Sequence, residues 1–347
     1  MHNLEYVSII IPCRNEQHFI SSCLDSIIAN DYPQDLIEIL VVDGMSEDET
    51  VAVVKTYIDK YPFISLLENQ KSVTPIALNI GIKKAKGTII IRMDAHARLD
   101  CRYISQCVRA LNEYEADNVG GNMVTLPQTP SFLGNAIVLS LSHRFGVGNS
   151  YFRAHPREPK WVDTVFGGCY RRSVFDSVGY FNEALVRGQD MEFNLRLKKA
   201  GGRTLLIPDI VSYYYARSTL WEFCKHNWNN GVWAIIPFLY SDIIPVSVRH
   251  LIPLGFAIGL MGSLILSLFW QLGLCLLGGL LGSYLLMGML ASIQIAFREH
   301  TPKYLFLMPW IFFCLHINYG IGSLWGCARV LVGSLLTSST KPGGAQI

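Results

Sequence analysis

An aspartate and a histidine two positions apart are the first residues whose types and spacing suggest chemistry. In GTIIIRMDAHARLD, residues 87–100, a run of β-branched residues ends on Asp94, and His96 follows. If the chain stays extended there, both side chains point the same way and can hold one divalent cation. That pair suits Mn²⁺ or Mg²⁺, with waters and diphosphate oxygens as the remaining ligands. The alternative is that His96 caps the following helix or satisfies a buried carbonyl group.

A second acidic position has the properties of a general base. In RGQDMEFNLRLKKAGG, residues 187–202, Asp190 lies in the first turn of a helix expected from about Gln189 to Ala200. The positive end of the helix dipole favours its ionised form. An ionised, oriented carboxylate is what proton removal from a sugar hydroxyl requires. The alternative is an ordinary acidic residue at a helix N-terminus.

The first strand is followed by PCRNEQ, which contains no glycine-rich turn. That argues against a dinucleotide fingerprint and against a phosphate loop, because both need glycines where backbone amides approach phosphate. A nucleotide bound here would be held mainly by side chains. Asp43, at the tip of the second strand, could accept hydrogen bonds from a base or ribose, or could simply cap the strand end.

Strands and helices alternate along the first hundred residues, and they must position these side chains. The segment SEDE carries Ser46 and Glu49 in the spacing of a capping box, which predicts a helix from Ser46 to about Tyr61. Four β-α repeats predict a parallel, doubly wound sheet, whose ligands bind beyond the carboxyl ends of the strands. The predicted strands are 7–12, 37–42, 64–68 and 88–93, and the predicted helices start near residues 16, 46 and 74.

The C-terminal part of the chain is apolar enough to enter a membrane. No Asp, Glu, Lys, Arg or His occurs between Leu251 and Phe297. Arg249, Arg298 and Lys303 flank the apolar runs, so the positive-inside rule predicts a multi-pass protein of the inner (plasma) membrane with a cytoplasmic globular part. We expect spans at about 251–270, 272–297 and 304–326, a catalytic domain over 1–236, an interfacial linker or helix over 237–250, a membrane domain over 251–336 and a tail over 337–347.

Charge and cysteine content exclude other classes of protein. The chain has 29 Lys and Arg residues against 27 Asp and Glu residues, so no broad basic face for nucleic acid is expected. Its 9 cysteines form no CxxC pair and do not cluster with histidines. They are typical of core residues in a reducing compartment, and a structural zinc site is not expected. His316 lies inside the third predicted span and is expected to face protein or a polar cavity.

Four motifs together resemble the family 2 glycosyltransferases, which have the GT-A fold. VSIIIPCRNE, VVDGMSEDET, LNIGIKKAKGTIIIRMDAHA and GQDMEFNLRLKKAGG stand in that family's order and approximate spacing. Within the family the chain looks most like the succinoglycan biosynthesis ExoA-like proteins. VDTVFGGCYRRSVFDSVGYFNEAL and HINYGIGSLWG match that group's pattern.

The resemblance implies a set of roles for individual residues. Asp94 and His96 take the place of the family's metal-binding Asp-x-Asp motif, and Asp190 is the base. Gln189 and Trp233 are expected on the acceptor side. The residues implied in nucleotide-sugar binding are Pro12, Arg14, Glu16, Asp43 and Asp94.

Three departures from the family pattern refine these expectations. Gly44 stands where many members have a second aspartate, and Gln189 stands where glutamate is common. The QxxRW motif of processive synthases is absent, and HNWNNGVW, residues 226–233, occupies its region. We therefore expect transfer of one sugar per encounter rather than extrusion of a polymer.

The resemblance implies an inverting transfer from a nucleotide-diphosphate sugar, expected to be a UDP-sugar, to a lipid-linked glycan during exopolysaccharide or cell-envelope synthesis. Polysaccharide-assembly proteins are possible partners. One alternative is a polyisoprenyl-phosphate glycosyltransferase, whose acceptor needs no base. Another, from a different class, is a non-catalytic membrane subunit or transporter that senses a nucleotide.

Overall fold

The computed structural model describes residues 4–148, 150–154, 156–239 and 248–338. The chain forms two compact units, each built from two stretches of sequence. The first comprises Met1–Leu126 and Ser150–Tyr215. The second comprises Pro127–Asn149 and Ala216–Ile347, so residues 127–149 and 216–236, which the sequence places in the catalytic domain, pack with the apolar C-terminal helices.

A mixed sheet forms the centre of the first unit. The strands are β1 (Val7–Cys13), β2 (Ile37–Asp43), β3 (Ile64–Glu68), β4 (Ile89–Arg92), β5 (Ala97–Leu99), β6 (Asn118–Pro127), β7 (Lys160–Val162), β8 (Cys169–Arg171) and β9 (Thr204–Ala216). Their order in the sheet is β3-β2-β1-β4-β8-β6-β9-β5, and β7 pairs with β9. The pairs among β1 to β4 are parallel, as predicted, and the pairs β4–β8, β6–β8, β5–β9 and β7–β9 are antiparallel.

Helices cover the sheet and continue into the second unit. The α-helices are α1 (Ile20–Ile28), α2 (Thr50–Ile58), α3 (Thr74–Lys84), α4 (Tyr103–Glu113), α5 (Phe132–Ser142), α6 (Arg144–Val147), α7 (Tyr151–Ala154), α8 (Ser173–Val178), α9 (Gln189–Lys199), α10 (Leu220–Ile235), α11 (Val248–Ser267), α12 (Gln271–Arg298) and α13 (Tyr304–Ser338). Short 3₁₀ turns occupy Gln34–Leu36 and Ile236–Leu239.

Strands β1, β2 and β4 are buried on both faces because successive side chains alternate between two apolar layers. Ile9 and Ile11 of β1 pack in one layer with residues of α1 and α4. Ile10 packs in the other layer with residues of α3, α8 and α9. Continuous β-branched runs are typical of such doubly covered strands. The polar residues that follow them are thereby held at one edge of a rigid sheet.

The predicted capping box is wrong. Helix α2 begins at Thr50, and Glu49 at the N-cap position makes no side-chain cap. The hydroxyl group of Ser46 instead donates to the Asp43 carboxylate, at 2.5 Å. The backbone N–H of Thr50 donates to Asp48, at 3.0 Å. Ser46 therefore belongs to the turn that ends β2, because the nearest strong acceptor is a strand-end carboxylate.

Three helices of the second unit are long and apolar enough to cross a membrane, as predicted. They are His250–Ser267, Gln271–Arg298 and Tyr304–Val332. His316 is buried, and its Nδ1 lies 2.8 Å from the Tyr284 hydroxyl group, so it faces protein as expected. Of the predicted linker 237–250, residues 240–247 lie outside the described residues, as does the tail beyond residue 338.

Helix α10 packs closely along α13 within the second unit. The contact is made through glycines on both helices: a Cβ atom added at Gly231 would lie 2.0 Å from the Tyr319 carbonyl oxygen, and one at Gly322 would lie 2.2 Å from that of Trp228. The hydroxyl group of Ser323 donates to the carbonyl oxygen of Gly231, at 3.2 Å. The aromatic-rich segment 219–233 is therefore a packed helix whose backbone approaches that of α13.

Candidate active site

Asp94 and His96 lie in a tight turn between β4 and β5. The backbone N–H of Ala97 donates to the Asp94 carbonyl oxygen at 3.1 Å, which closes the turn. The premise that the chain stays extended there is wrong, because β4 ends at Arg92 and β5 turns away to pair with β9. Both side chains nevertheless line the same cleft. Convergence on one ligand thus comes from the turn rather than from strand alternation.

Arg92, the last residue of β4, joins two of the predicted site acids. Its Nη2 lies 2.7 Å from Asp94 Oδ1, and its Nη1 lies 3.2 Å from Asp190 Oδ2. The Arg92 side chain is only 7% exposed. The sequence analysis did not single out this arginine. The sequence feature that could have identified it is a basic residue at the end of an apolar, β-branched run, two positions before an acid.

Asp190 lies in the first turn of α9, directly after Gly188 in a left-handed conformation with φ of 76°. Burial raises the pKa of Asp190 above the ordinary value of an aspartate; the Arg92 guanidinium opposes this effect, and the Asp94 charge adds to it. Within the described part of the chain, its buried Oδ1 accepts no hydrogen bond. A carboxylate with a raised pKa and an oxygen without a protein donor is suited to accepting a proton.

His96 is paired with Glu16 from the loop after β1. Its Nδ1 lies 2.8 Å from Glu16 Oε1, and its ring meets that of Tyr214 edge-on with centroids 5.2 Å apart. An ionised carboxylate can only accept, so Nδ1 carries the proton in this pair. Nε2 is then the nitrogen that has a lone pair when the imidazole is neutral, as a metal ligand requires.

The loop that carries Glu16 is fastened to the segment after β2. The backbone N–H of Asn15 donates to Ser46 Oγ at 2.9 Å, and that of Glu16 donates to Thr50 Oγ1 at 2.8 Å. Asn15 has a φ of 56°, a left-handed conformation that asparagine tolerates better than most residues. These bonds fix the direction in which Glu16 enters the cleft.

The cleft itself has a volume of about 170 Å³ and lies beyond the carboxyl ends of the parallel strands. Four predicted site residues besides His96 line it: Pro12, Arg14, Glu16 and Asp94. Its other wall was missed by the sequence analysis and comes from the loop after β3 and the start of α3: Asn69, Ser72, Val73, Thr74 and Ala77. Asn69 is buried and its side-chain amide bonds within this loop, whereas Ser72 and Thr74 are half-buried.

Asp43 caps the end of its strand. It is 4% exposed, and its carboxylate accepts hydrogen bonds from the backbone N–H of Ser46 at 3.0 Å and from the Ser46 hydroxyl group. The strand-end role that the sequence left open is therefore present. A contact of Asp43 with a nucleotide stays a prediction, as do the acceptor-side roles of Gln189, which is buried in α9, and Trp233, which is half-buried in the other unit.

The side chains of Asp94 and His96 fit a divalent cation that takes its other ligands from the bound substrate. No group of three or more His, Cys, Asp or Glu side chains that could hold a metal occurs within the described residues. Asp94 and His96 contribute one carboxylate and one imidazole to the same cleft. Oxygen and imidazole ligands suit Mn²⁺, and Mg²⁺ is commonly bound by one or two carboxylates together with substrate phosphates.

Comparison with known proteins identifies the family. Residues 8–179 match the family model for glycosyl transferase family 2. The chain is 30% identical over 329 residues, 91% of its length and 96% of the relative's, to the dolichyl N-acetyl-alpha-D-glucosaminyl phosphate 3-beta-D-2,3-diacetamido-2,3-dideoxy-beta-D-glucuronosyltransferase of Methanococcus voltae. It is 26% identical over 216 residues, 62% of its length and 68% of the relative's, to glycosyltransferase AglE of Haloferax volcanii. The chain belongs to glycosyl transferase family 2.

A solved structure shows the same fold. The mannosyltransferase PcManGT from Pyrobaculum calidifontis, determined in complex with GDP-Man and Mn²⁺, superposes with a TM-score of 0.57 at 19% sequence identity. The match covers 93% of this chain and 88% of that one. The predicted GT-A fold and the predicted membership of family 2 are confirmed. The narrower resemblance to the ExoA-like group stays a prediction.

Proposed function

We propose that this protein is an inverting glycosyltransferase that transfers a sugar from a UDP-sugar to a lipid-linked saccharide at the cytoplasmic face of the membrane. The observation that carries the proposal is that Arg92 contacts both Asp190 and Asp94, and that Asp94 lines the cleft. This arrangement brings Asp190, a carboxylate suited to proton removal, close to Asp94, a carboxylate suited to hold a cation that binds the donor's diphosphate. The two acids come from separate motifs almost a hundred residues apart in the sequence.

In the proposed reaction Asp190 removes the proton from the acceptor hydroxyl group as that oxygen attacks the anomeric carbon. The bond from the anomeric carbon to the diphosphate breaks on the opposite side, which inverts the configuration. Negative charge then develops on the leaving diphosphate, and the reaction needs positive charge there. Arg14 is 48% exposed and lines the cleft, which supports a contact between its guanidinium group and the nucleotide.

Asp94 and His96 would hold the divalent cation, Mn²⁺ or Mg²⁺, whose positive charge neutralises the leaving diphosphate. Glu16 keeps the His96 ring in one orientation and one tautomer. The Pyrobaculum mannosyltransferase was determined in complex with Mn²⁺ and GDP-Man, which agrees with the proposal of a cation and a nucleotide sugar as ligands here.

A lipid-linked acceptor agrees with the three apolar helices and with the name of the Methanococcus relative, which acts on a dolichyl-linked sugar. An enzyme held at the membrane encounters such an acceptor at a raised effective concentration. Arg298 and Lys303, between the second and third apolar helices, support a cytoplasmic position for that loop.

The test uses the full-length protein in lipid nanodiscs with Mn²⁺, a panel of UDP- and GDP-sugars and polyprenyl-linked N-acetylglucosamine. We expect release of nucleoside diphosphate that depends on the acceptor, and loss of most turnover in Asp190→Asn. Asp176→Asn is the matched control, because Asp176 is also an acid in the first turn of a helix of the same unit.

Each other outcome has a defined meaning. No release with any donor would reject the proposal and favour a nucleotide-sensing subunit. Release that is unaffected in Asp190→Asn, with polyprenyl phosphate as the preferred acceptor, would favour a polyisoprenyl-phosphate glycosyltransferase. A phosphate acceptor is already ionised and needs no base.

A further inference from the structure

Arg92 is held by a backbone hydrogen bond, and its guanidinium group contacts two acidic side chains. The backbone N–H of Arg92 donates to the Gly168 carbonyl oxygen at 3.0 Å, which ties the residue to the segment just before β8. Its two terminal nitrogens contact Asp94 and Asp190, one carboxylate each. A planar guanidinium presents its N–H groups in a fixed geometry, so the two carboxylates are held at a set separation and angle.

The negative charges of Asp94 and Asp190 explain why a positively charged side chain, Arg92, lies between them. Two carboxylates close together repel each other, and one of them tends to take up a proton. The positive charge of Arg92 lowers the pKa of Asp190, whereas burial and the charge of Asp94 raise it. A cation between them allows both acids to be ionised at once.

The partners of Arg92 distinguish it from arginines that only support the fold. Arg171, on the neighbouring strand β8, donates to the backbone carbonyl oxygens of Leu111 and Ala116 and touches neither acid. Among the described residues, the buried Nε of Arg92 has no hydrogen-bond partner. The two terminal nitrogens of Arg92 therefore meet the two site acids, whereas the guanidinium group of Arg171 meets backbone carbonyl oxygens and Asn112.

We propose that Arg92 is a positioning residue of the transfer reaction, which fixes the base Asp190 relative to Asp94 so that the base meets the acceptor hydroxyl group opposite the leaving diphosphate. The inference rests on the proposed function. Arg92 acts through Asp190 and does not itself contact the reacting atoms.

The test measures kcat and KM with a radiolabelled UDP-sugar and polyprenyl-linked N-acetylglucosamine, and the Kd for UDP with Mn²⁺ by calorimetry, on the full-length protein in nanodiscs. We expect Arg92→Met to lower kcat by about 10²-fold, the scale of a misplaced general base. The kcat of Arg92→Lys is expected to lie between those of Arg92→Met and the wild-type protein. An ammonium group keeps the positive charge but cannot contact two carboxylates in the fixed geometry of a guanidinium group. The Kd for UDP is expected to rise by a much smaller factor than the factor by which kcat falls.

A double-mutant cycle separates positioning from support of the fold. If Arg92 acts through Asp190, then Arg92→Met lowers kcat no further in an Asp190→Asn background. Arg171→Lys is the control, expected to lower thermal stability without lowering kcat at a temperature where the protein is folded. If Arg92→Met does not fold, the same cycle is measured with Arg92→Lys.

Two results would overturn the inference while leaving the proposed function intact. One is unchanged kcat in both Arg92 variants. The other is a further fall in kcat when either variant is added to Asp190→Asn, accompanied by an equal loss of UDP affinity. If instead the wild-type protein transfers no sugar, or Asp190→Asn is fully active, the proposed function itself fails, whatever the Arg92 variants do.

Discussion

Glu16 Oε1 lies 2.8 Å from His96 Nδ1, although the two residues come from different strand ends and are 80 positions apart. Such carboxylate–imidazole pairs orient a ligand nitrogen and raise its basicity. The pairing gives Glu16, which the family resemblance implies only as a nucleotide contact, a second role through the histidine.

Replacement of Glu16 by Gln is expected to weaken Mn²⁺-dependent binding of UDP by about tenfold or more, because the neutral amide no longer fixes the tautomer of His96. Isothermal titration of UDP in the presence and absence of Mn²⁺ measures this effect. Glu113→Gln, at the exposed end of α4, is the control and is expected to bind UDP as the wild-type protein does. Equal loss of UDP affinity with and without Mn²⁺ would show that Glu16 contacts the nucleotide rather than acting through His96.

Removal of divalent cations is expected to abolish transfer. Chelation with EDTA should stop release of UDP, and addition of Mn²⁺ or Mg²⁺ should restore it, because the cation that Asp94 and His96 would hold neutralises the leaving diphosphate. His96→Ala should require a higher Mn²⁺ concentration for half-maximal activity. Full transfer in EDTA, with no effect of His96→Ala, would contradict the assignment of His96 and Asp94.

The parallel half of the sheet could be predicted from the sequence because each strand is a short apolar run bounded by helix signals. The third strand was predicted at 64–68 and is found at Ile64–Glu68. The polar residues at these strand ends were therefore placed at the correct edge. The turn at Asp94 was not predicted, because its direction depends on the pairing of β5 with β9, more than a hundred residues later.

Arg92 illustrates why the rest of the site could not be predicted. An arginine at a strand end is usually solvated, and only tertiary packing decides that this one is buried. That packing comes from β8 and α9, whose contacts with β4 are set by the antiparallel half of the sheet. Local periodicity contains no information on such long-range pairs.

The acid limb of the pH–rate profile is expected to report Asp190. Burial raises the pKa of this carboxyl group, and the base must be deprotonated to act, so kcat falls as pH falls through the raised pKa. The fall should therefore begin at a higher pH than the ordinary aspartate value of about 3.9 would give. Initial rates with saturating UDP-sugar and acceptor across a pH series measure this limb. A profile that stays flat down to the ordinary range would contradict the raised pKa.

Asp190→Asn is also expected to stabilise the fold at neutral pH. A carboxyl group whose pKa is higher in the folded state than in the unfolded chain favours folding when protonated, and this contribution is lost as pH rises through the folded value. The neutral amide avoids that loss, so thermal unfolding should occur at a higher temperature than for wild type at pH 7. The difference should shrink toward acid pH. A lower melting temperature at pH 7 would show that the ion pair with Arg92 outweighs the cost of burial.

The packing of α10 on α13 gives a prediction for the second unit. Gly231→Ala is expected to destabilise the protein by about 1–3 kcal/mol, because the added methyl group meets the Tyr319 carbonyl oxygen, and the two helix backbones must separate. Gly278→Ala is the matched control, since a Cβ atom at Gly278 in α12 meets nothing within 4 Å. Alanine also favours a helix over glycine, so the control should be neutral or slightly stabilising.

Thermal unfolding of the purified protein in detergent, followed by circular dichroism and by size-exclusion chromatography after heating, compares the two glycine variants. A drop in melting temperature for Gly231→Ala alone would support close backbone contact between α10 and α13. Equal melting temperatures for the two variants would show that the backbones of α10 and α13 are far enough apart to accommodate a methyl group at Gly231.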